Sequence, residues 1–329
     1  MNVSETKGKE QACCGSTGKK CKKCTMAIAF ATVGIVVIAL MFVFKFTRNN
    51  EGLITMTLQP DGEVSIYLAG TGTATIDWGD GNVSSNENLT EYIEDDADRD
   101  IYKYSHTFNT SAICTITIKG KKITMLSCSH INLKSLDVSK NSALEILVCS
   151  RNQLTSLDVS NNADLIVLGC YDNQLKSLDV SKNTALKLLD CASNQLINLD
   201  ISKNLALKGL VCPRNQLTTL DISNNIELTR LYCSDNHLTN LDVSNNAALT
   251  ELRCSNNQLT NLDVSNNIAL IVLVSENNQL SDTALNNLFS SLHDFNNELE
   301  KDISISGNPG SFECDTTIAE DKGWNVYFE

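Results

Sequence analysis

From Leu144 onward, apolar residues return in the same order every 21 residues. One period reads Leu144-x-x-Leu147-x-Cys149-x-x-Asn152-x-Leu154-x-x-Leu157-Asp158-Val159-Ser160-x-Asn162. Within each half the apolar positions alternate as in a strand, and the joining residues are Ser, Asn, Thr and Lys, so the pattern predicts extended segments and turns rather than helices. Cysteine keeps one place in every period, at Cys128, Cys149, Cys170, Cys191, Cys212, Cys233 and Cys254, and Ser275 takes the eighth place. An apolar place held at fixed spacing marks a line through a core shared by stacked coils. One coil buries about six apolar side chains, roughly 9 to 18 kcal/mol gross, against about 1 to 2 kcal/mol of backbone ordering per residue. A single coil therefore cannot fold without its neighbours.

Before the comb, short runs alternate with period two: Ile54-Thr55-Met56-Thr57-Leu58, Val64-Ser65-Ile66-Tyr67-Leu68 and Thr73-Ala74-Thr75-Ile76-Asp77-Trp78. Bounded by Gly or Asp, they predict an antiparallel sandwich over residues 53–121 that runs directly into the solenoid at 122–280. Earlier still, Thr25 to Phe44 contains no charge, and 20 helical residues at about 1.5 Å each span roughly the 30 Å of bilayer hydrocarbon. A transmembrane helix is expected there, between a stub at 1–24 and a linker at 45–52. After the comb, Ser281-Asp282-Thr283 offers an N-cap for a helix over Ala284 to Leu292. The Ile303-Ser304-Ile305 run, the Gly307-Asn308-Pro309-Gly310 turn, a short helix near Thr316 to Asp321 and Trp324 to Phe328 complete an α/β cap at 281–329. The fold class is mainly β with little helix.

The period resembles the leucine-rich repeat Leu-x-x-Leu-x-Leu-x-x-Asn-x-Leu, with cysteine at the third leucine place. Because the motif is nested twice per turn from Cys128 to Asn278, it resembles the short IRREKO-type, internalin-like repeats of bacterial surface proteins. That resemblance implies a binding protein without cofactor rather than an enzyme. Trp78-Gly79-Asp80-Gly81, Tyr104-Ser105-His106-Thr107-Phe108 and Ile113 to Ile118 resemble the PKD-like domain, which implies an immunoglobulin-type sandwich.

The chain has 329 residues, 42% of them hydrophobic, and only 3 Pro, which suits an extended array with caps. Its formal charge is −13, but residues 1–44 carry +4 and the remainder −17. So acidic a body argues against nucleic acid. The six lysines before the apolar run place the amino terminus in the cytoplasm and the bulk of the chain in the periplasm or outside the cell. A cleaved signal peptide is the alternative, but the leader is long and Met41 to Phe44 offers no small-residue cleavage site. Cys13, Cys14, Cys21 and Cys24 admit zinc binding or acylation, although incidental thiols in a topology signal suffice. The remaining cysteines form an odd, periodic set, which points to buried free thiols rather than disulfides. Glu91, Glu94, Asp95, Asp96, Asp98 and Asp100 read as a solvated acidic loop, since the glycine pattern of a Ca²⁺ loop is missing. With only 4 His, no phosphate loop and no nucleophile motif, neither catalysis nor a metal is expected.

Comparing the coils with one another separates scaffold from variation. Asp137, Asp158, Asp179, Asp200, Asp221, Asp242 and Asp263 repeat on one side, each two places before a Ser. Local hydrogen bonds are expected to hold these carboxylates. Asn152, Asn173, Asn194, Asn215, Asn236, Asn257 and Asn278 are expected to turn inward as a structural ladder bonding loop backbone. On the other side the outward residues differ from coil to coil, and Tyr and Arg are favoured anchor types. The candidate binding residues are Tyr171, Asp190, Arg214, Arg230, Tyr232, Glu251 and Arg253. A protein or glycan ligand is the expected partner, and a stiff envelope spacer without a ligand is the other reading. Strands on both sides of each coil would need the same spacing, so the stack should be nearly straight.

Overall fold

The computed structural model describes residues 51–92, 102–294 and 300–328. The stub and membrane helix expected at 1–44, and the acidic positions Glu94 to Asp100, lie outside the described residues. Among the described residues no helix is long and apolar enough to cross a membrane.

The first strands are β1 (Glu51–Leu58), β2 (Glu63–Gly70), β3 (Gly72–Asp77), β4 (Val83–Leu89), β5 (Lys103–Thr107), β6 (Cys114–Lys121), β7 (Ile123–Ser127) and β8 (Leu133–Asp137). Their alternation buries Ile54, Met56 and Leu58 of β1, Val64, Ile66 and Leu68 of β2 and Ile116 and Ile118 of β6 in one core. A five-stranded sheet runs β4-β3-β6-β1-β8, and β5-β2-β7 begins a twelve-stranded one. The expected antiparallel sandwich is present, but its strand order is not that of an immunoglobulin domain, where the first two strands are neighbours. Here β1 lies between β6 and β8, while β2 lies between β5 and β7. That order gives each sheet an edge on which the coils continue: β7 pairs in parallel with β9 (Ile146–Val148).

Each following coil adds one three-residue strand: β10 (Val167–Gly169), β11 (Leu188–Asp190), β12 (Gly209–Val211), β13 (Arg230–Tyr232), β14 (Glu251–Arg253) and β15 (Val272–Val274). All pair in parallel and in register, so Leu147, Leu168, Leu189, Leu210, Leu231, Leu252 and Leu273 form one fully buried file. The comb cysteines form the next file, each 0% exposed, and every cysteine from Cys114 to Cys314 is a free thiol. Helix is confined to the cap, where α1 (Asp282–Ser291) buries Leu285, Leu288 and Phe289 and α2 (Thr317–Glu320) buries Ala319. Beyond α1, β16 (Lys301–Ser304) pairs with β15, and β17 (Trp324–Tyr327) pairs with β16.

The second side of the coils is not the strand ladder expected. Each Asp accepts the N–H of the Ser two places on, as between Asp158 and Ser160 at 2.9 Å, and this Asx turn bends the chain before a strand can extend. Successive coils are joined there by single bonds, such as Gln174 N–H to Leu154 O at 2.8 Å. A second asparagine file reinforces them: Asn183 Nδ2 donates to Val159 O and Asn162 O at 2.9 and 2.8 Å. The array is a leucine-rich repeat solenoid.

Candidate functional site

The strand face owes its order to the asparagine ladder behind it. Asn194 Nδ2 donates to the carbonyls of Cys170, Cys191 and Ala192 at 3.0 to 3.1 Å, and its Oδ1 accepts the Leu175 N–H at 3.0 Å. Asn173, Asn215, Asn236 and Asn257 repeat this set, while Asn152 and Asn278 hold the end coils. The residue before each ladder asparagine is left-handed: Arg151, Asp172, Ser193, Arg214, Asp235, Asn256 and Asn277 have φ between 50 and 56°. Such a backbone disfavours side chains other than Gly, Asn and Asp. Because it recurs whatever residue is present, the turn belongs to the architecture. Arg214 is therefore placed by the corner of its coil, with Nε 3.9 Å from Asp235 Oδ2.

On the strand face, Arg230, Tyr232, Glu251 and Arg253 come together through the register of β13 and β14, where Arg230 faces Glu251 and Tyr232 faces Arg253. Arg253 Nη2 donates to Glu251 Oε1 at 2.7 Å, the Tyr232 hydroxyl donates to Glu251 Oε2, and Arg230 Nε lies 3.9 Å from that oxygen. The Arg253 guanidinium also stands 5.4 Å from the Tyr232 ring centroid, a cation–π contact. Burial, and then the bond to Glu251, push the Tyr232 hydroxyl up to about 12. Tyr171 carries a second such contact, with Arg151 at 5.5 Å.

Asp190 departs from the expectation of an exposed anchor. It occupies an outward column yet is only 4% exposed. It stands in register between Gly169 and Val211, and the adjacent column is apolar, with Ile146 and Val167 7% and 4% exposed and Leu188 lying over Gly209. Burial pushes the Asp190 carboxyl up to about 6, opposed only by the Ala192 N–H bonded at 3.2 Å. This apolar half of the face was missed from sequence. Its signal was the column before the inward leucine, which reads Ile146, Val167, Leu188, Gly209.

The opposite side is uniform. The Ser hydroxyl or backbone N–H holds the carboxyls of Asp137, Asp158, Asp179, Asp200, Asp221 and Asp242 below the usual range. Between this row and α1 lies a groove of about 750 Å³, lined by Asp242, Asp263, Asn261, Asn287, Leu262 and Ala284 among others. No group of three or more His, Cys, Asp or Glu among the described residues is placed to hold a metal ion. In the sandwich the two motifs read from sequence meet: His106 Nε2 lies 2.7 Å from Asp80 Oδ2, and its ring stacks on Trp78 at 5.2 Å. The hydrogen bond from His106 holds the Asp80 carboxyl down at about 2.

No family model and no curated protein matches the chain. Among solved structures it is similar to the functional domain of InlJ from Listeria monocytogenes, described as including a cysteine ladder. The identity is 30% and the TM-score 0.47, over 65% of this chain and 50% of that one. It is also similar to internalin C2 from the same organism, at 24% identity and TM-score 0.47 over 50% of this chain and 77% of that one. A leucine-rich repeat protein of Leptospira interrogans matches at 25% and 0.45, over 52% of this chain and 45% of that one. The chain spans half the length of the first of these. The fold is that of the coils themselves, each adding one parallel strand in register.

Proposed function

We propose that this chain is a membrane-anchored, exported, non-catalytic binding protein that recognises a partner macromolecule, protein or glycan, through the outward strand face of β9 to β15. The observation carrying this reading is the asymmetry between the two sides. The aspartate side repeats the same Asp-x-Ser turn in coil after coil, whereas the strand face changes from apolar around Leu188 to charged and aromatic around Tyr232. Variation on a rigid parallel sheet suits recognition. The uncharged run Thr25 to Phe44, behind six lysines, supports anchoring and export.

One observation favours the spacer reading instead: Arg230, Tyr232, Glu251 and Arg253 satisfy one another, as a face without a ligand would require. Pull-downs with the full-length chain, followed by titration of the captured partner, separate the two. Saturable binding that is lost on Tyr232→Ala with Arg253→Ala, and kept on Asp179→Asn with Asp200→Asn, supports recognition by the strand face. The opposite dependence moves the site to the aspartate side, and the absence of any saturable partner supports the spacer.

A further inference from the structure

Around Tyr232 the charges of the strand face pair with one another. Glu251 is held by Arg253, Arg230 and Tyr232, and Arg214 faces Asp235. Asp190 has no cation of its own among the described residues, and its hydrogen bond is the one from Ala192 N–H. That bond needs only an acceptor, which an asparagine would supply without charge. The charge therefore does nothing inside the molecule, and an ionised carboxylate in apolar surroundings is costly until it is paired.

Its surroundings define what would pair with it. Val211 is its in-register neighbour on β12, Gly169 on β10 brings no side chain and leaves Val148 beyond it, and Val167 and Leu188 occupy the adjacent outward column. An apolar patch around one desolvated anion complements an apolar segment bearing one cation, and suits a polyhydroxyl chain poorly. Charge complementarity thus selects a protein. We propose that this half of the strand face, centred on Asp190, docks an extended apolar segment of a partner protein through one lysine or arginine whose cationic head pairs with the Asp190 carboxylate. The inference rests on the strand-face reading above and narrows it from macromolecule to basic, apolar peptide.

A random-peptide display library selected on the full-length chain tests this. The expected result is enrichment of sequences with one Lys or Arg among Leu, Ile, Val or Phe, with the basic position lost when selection is repeated on Asp190→Asn. A synthetic copy of an enriched peptide should bind Asp190→Asn about tenfold or more weakly, and Tyr232→Ala nearly as well as the parent. Enriched sequences without a basic position, equal affinity for parent and Asp190→Asn, or no enrichment at all would overturn the proposal. Thermal melting of Asp190→Asn confirms that lost binding is not lost folding, because removal of the buried charge should stabilise the chain. A partner that binds through Arg230, Tyr232 and Arg253, and is indifferent to Asp190→Asn, would sink this inference and leave the general recognition reading intact.

Discussion

Asn194 and Asp190 show how far single residues carry the fold. Asn194 makes four bonds to backbone groups of its own coil and the one before it, so Asn194→Ala should destabilise the chain by about 1 to 3 kcal/mol. Asn204, in the second file, makes two bonds and leaves its Oδ1 without a partner. Asn204→Ala should therefore cost less, and urea midpoints for the two variants check the order. For Asp190 the sign follows from its raised pKa. The folded chain holds the proton more tightly between the ordinary carboxyl value of 3.8 and about 6, so this residue's contribution to stability is present at low pH and lost as pH rises through 6. Asp190→Asn should flatten that slope and add up to about 3 kcal/mol near neutral pH, measured by denaturation across pH 4 to 7. The ladder asparagines were legible because their spacing is fixed. The burial of Asp190 was not, since its column alternates small, apolar and charged residues, and the period alone does not tell which outward side chain its neighbours cover.

At the level of elements, the caps were placed closely and the second side of each coil was not. Ser281 is the N-cap of α1, as its sequence context implied, with its hydroxyl accepting the Ala284 N–H at 3.2 Å. Lys322 closes the other end by donating to the carbonyls of Phe289 and Leu292 at 3.1 and 2.8 Å. Phe289 is fully buried, and Phe289→Ala should cost about 3 to 5 kcal/mol. The loss should spread first into the last coils, seen as faster amide exchange at Leu259 and Leu273 than at Leu168. Equal exchange along the stack would show that α1 does not seal it. The aspartate side misled because Leu-x-x-Leu-Asp-Val-Ser alternates like a strand, whereas the Asx turn takes the Ser N–H that a strand would need. In the sandwich, alternation disclosed the strands but not their order, which is set by the need to offer the edges of β7 and β8 to the coils.

Across the whole molecule, stability comes from continuity: the twelve-stranded sheet runs from β5 of the sandwich through every coil to β17, and one apolar core lies beneath it. That architecture was legible because a period of 21 residues admits few solutions in which identical side chains meet. The partner was not legible, because recognition depends on which outward residues pair with each other and which are left over. The central claim, that the coils stack in register around a dry file of thiols, makes an unusual chemical demand on the cysteines. Burial pushes Cys128 and Cys254 up to about 12 and the thiols between them well above their ordinary value, so none offers an accessible thiolate. Iodoacetamide labelling of the native chain, read by mass spectrometry, measures this directly. The expected result is slow modification of half-exposed Cys114 and Cys314, protection of Cys128 through Cys254, and release of that protection only in denaturant. Labelling of the comb cysteines in the native chain as fast as Cys114 would contradict the stacked interior and everything built on it.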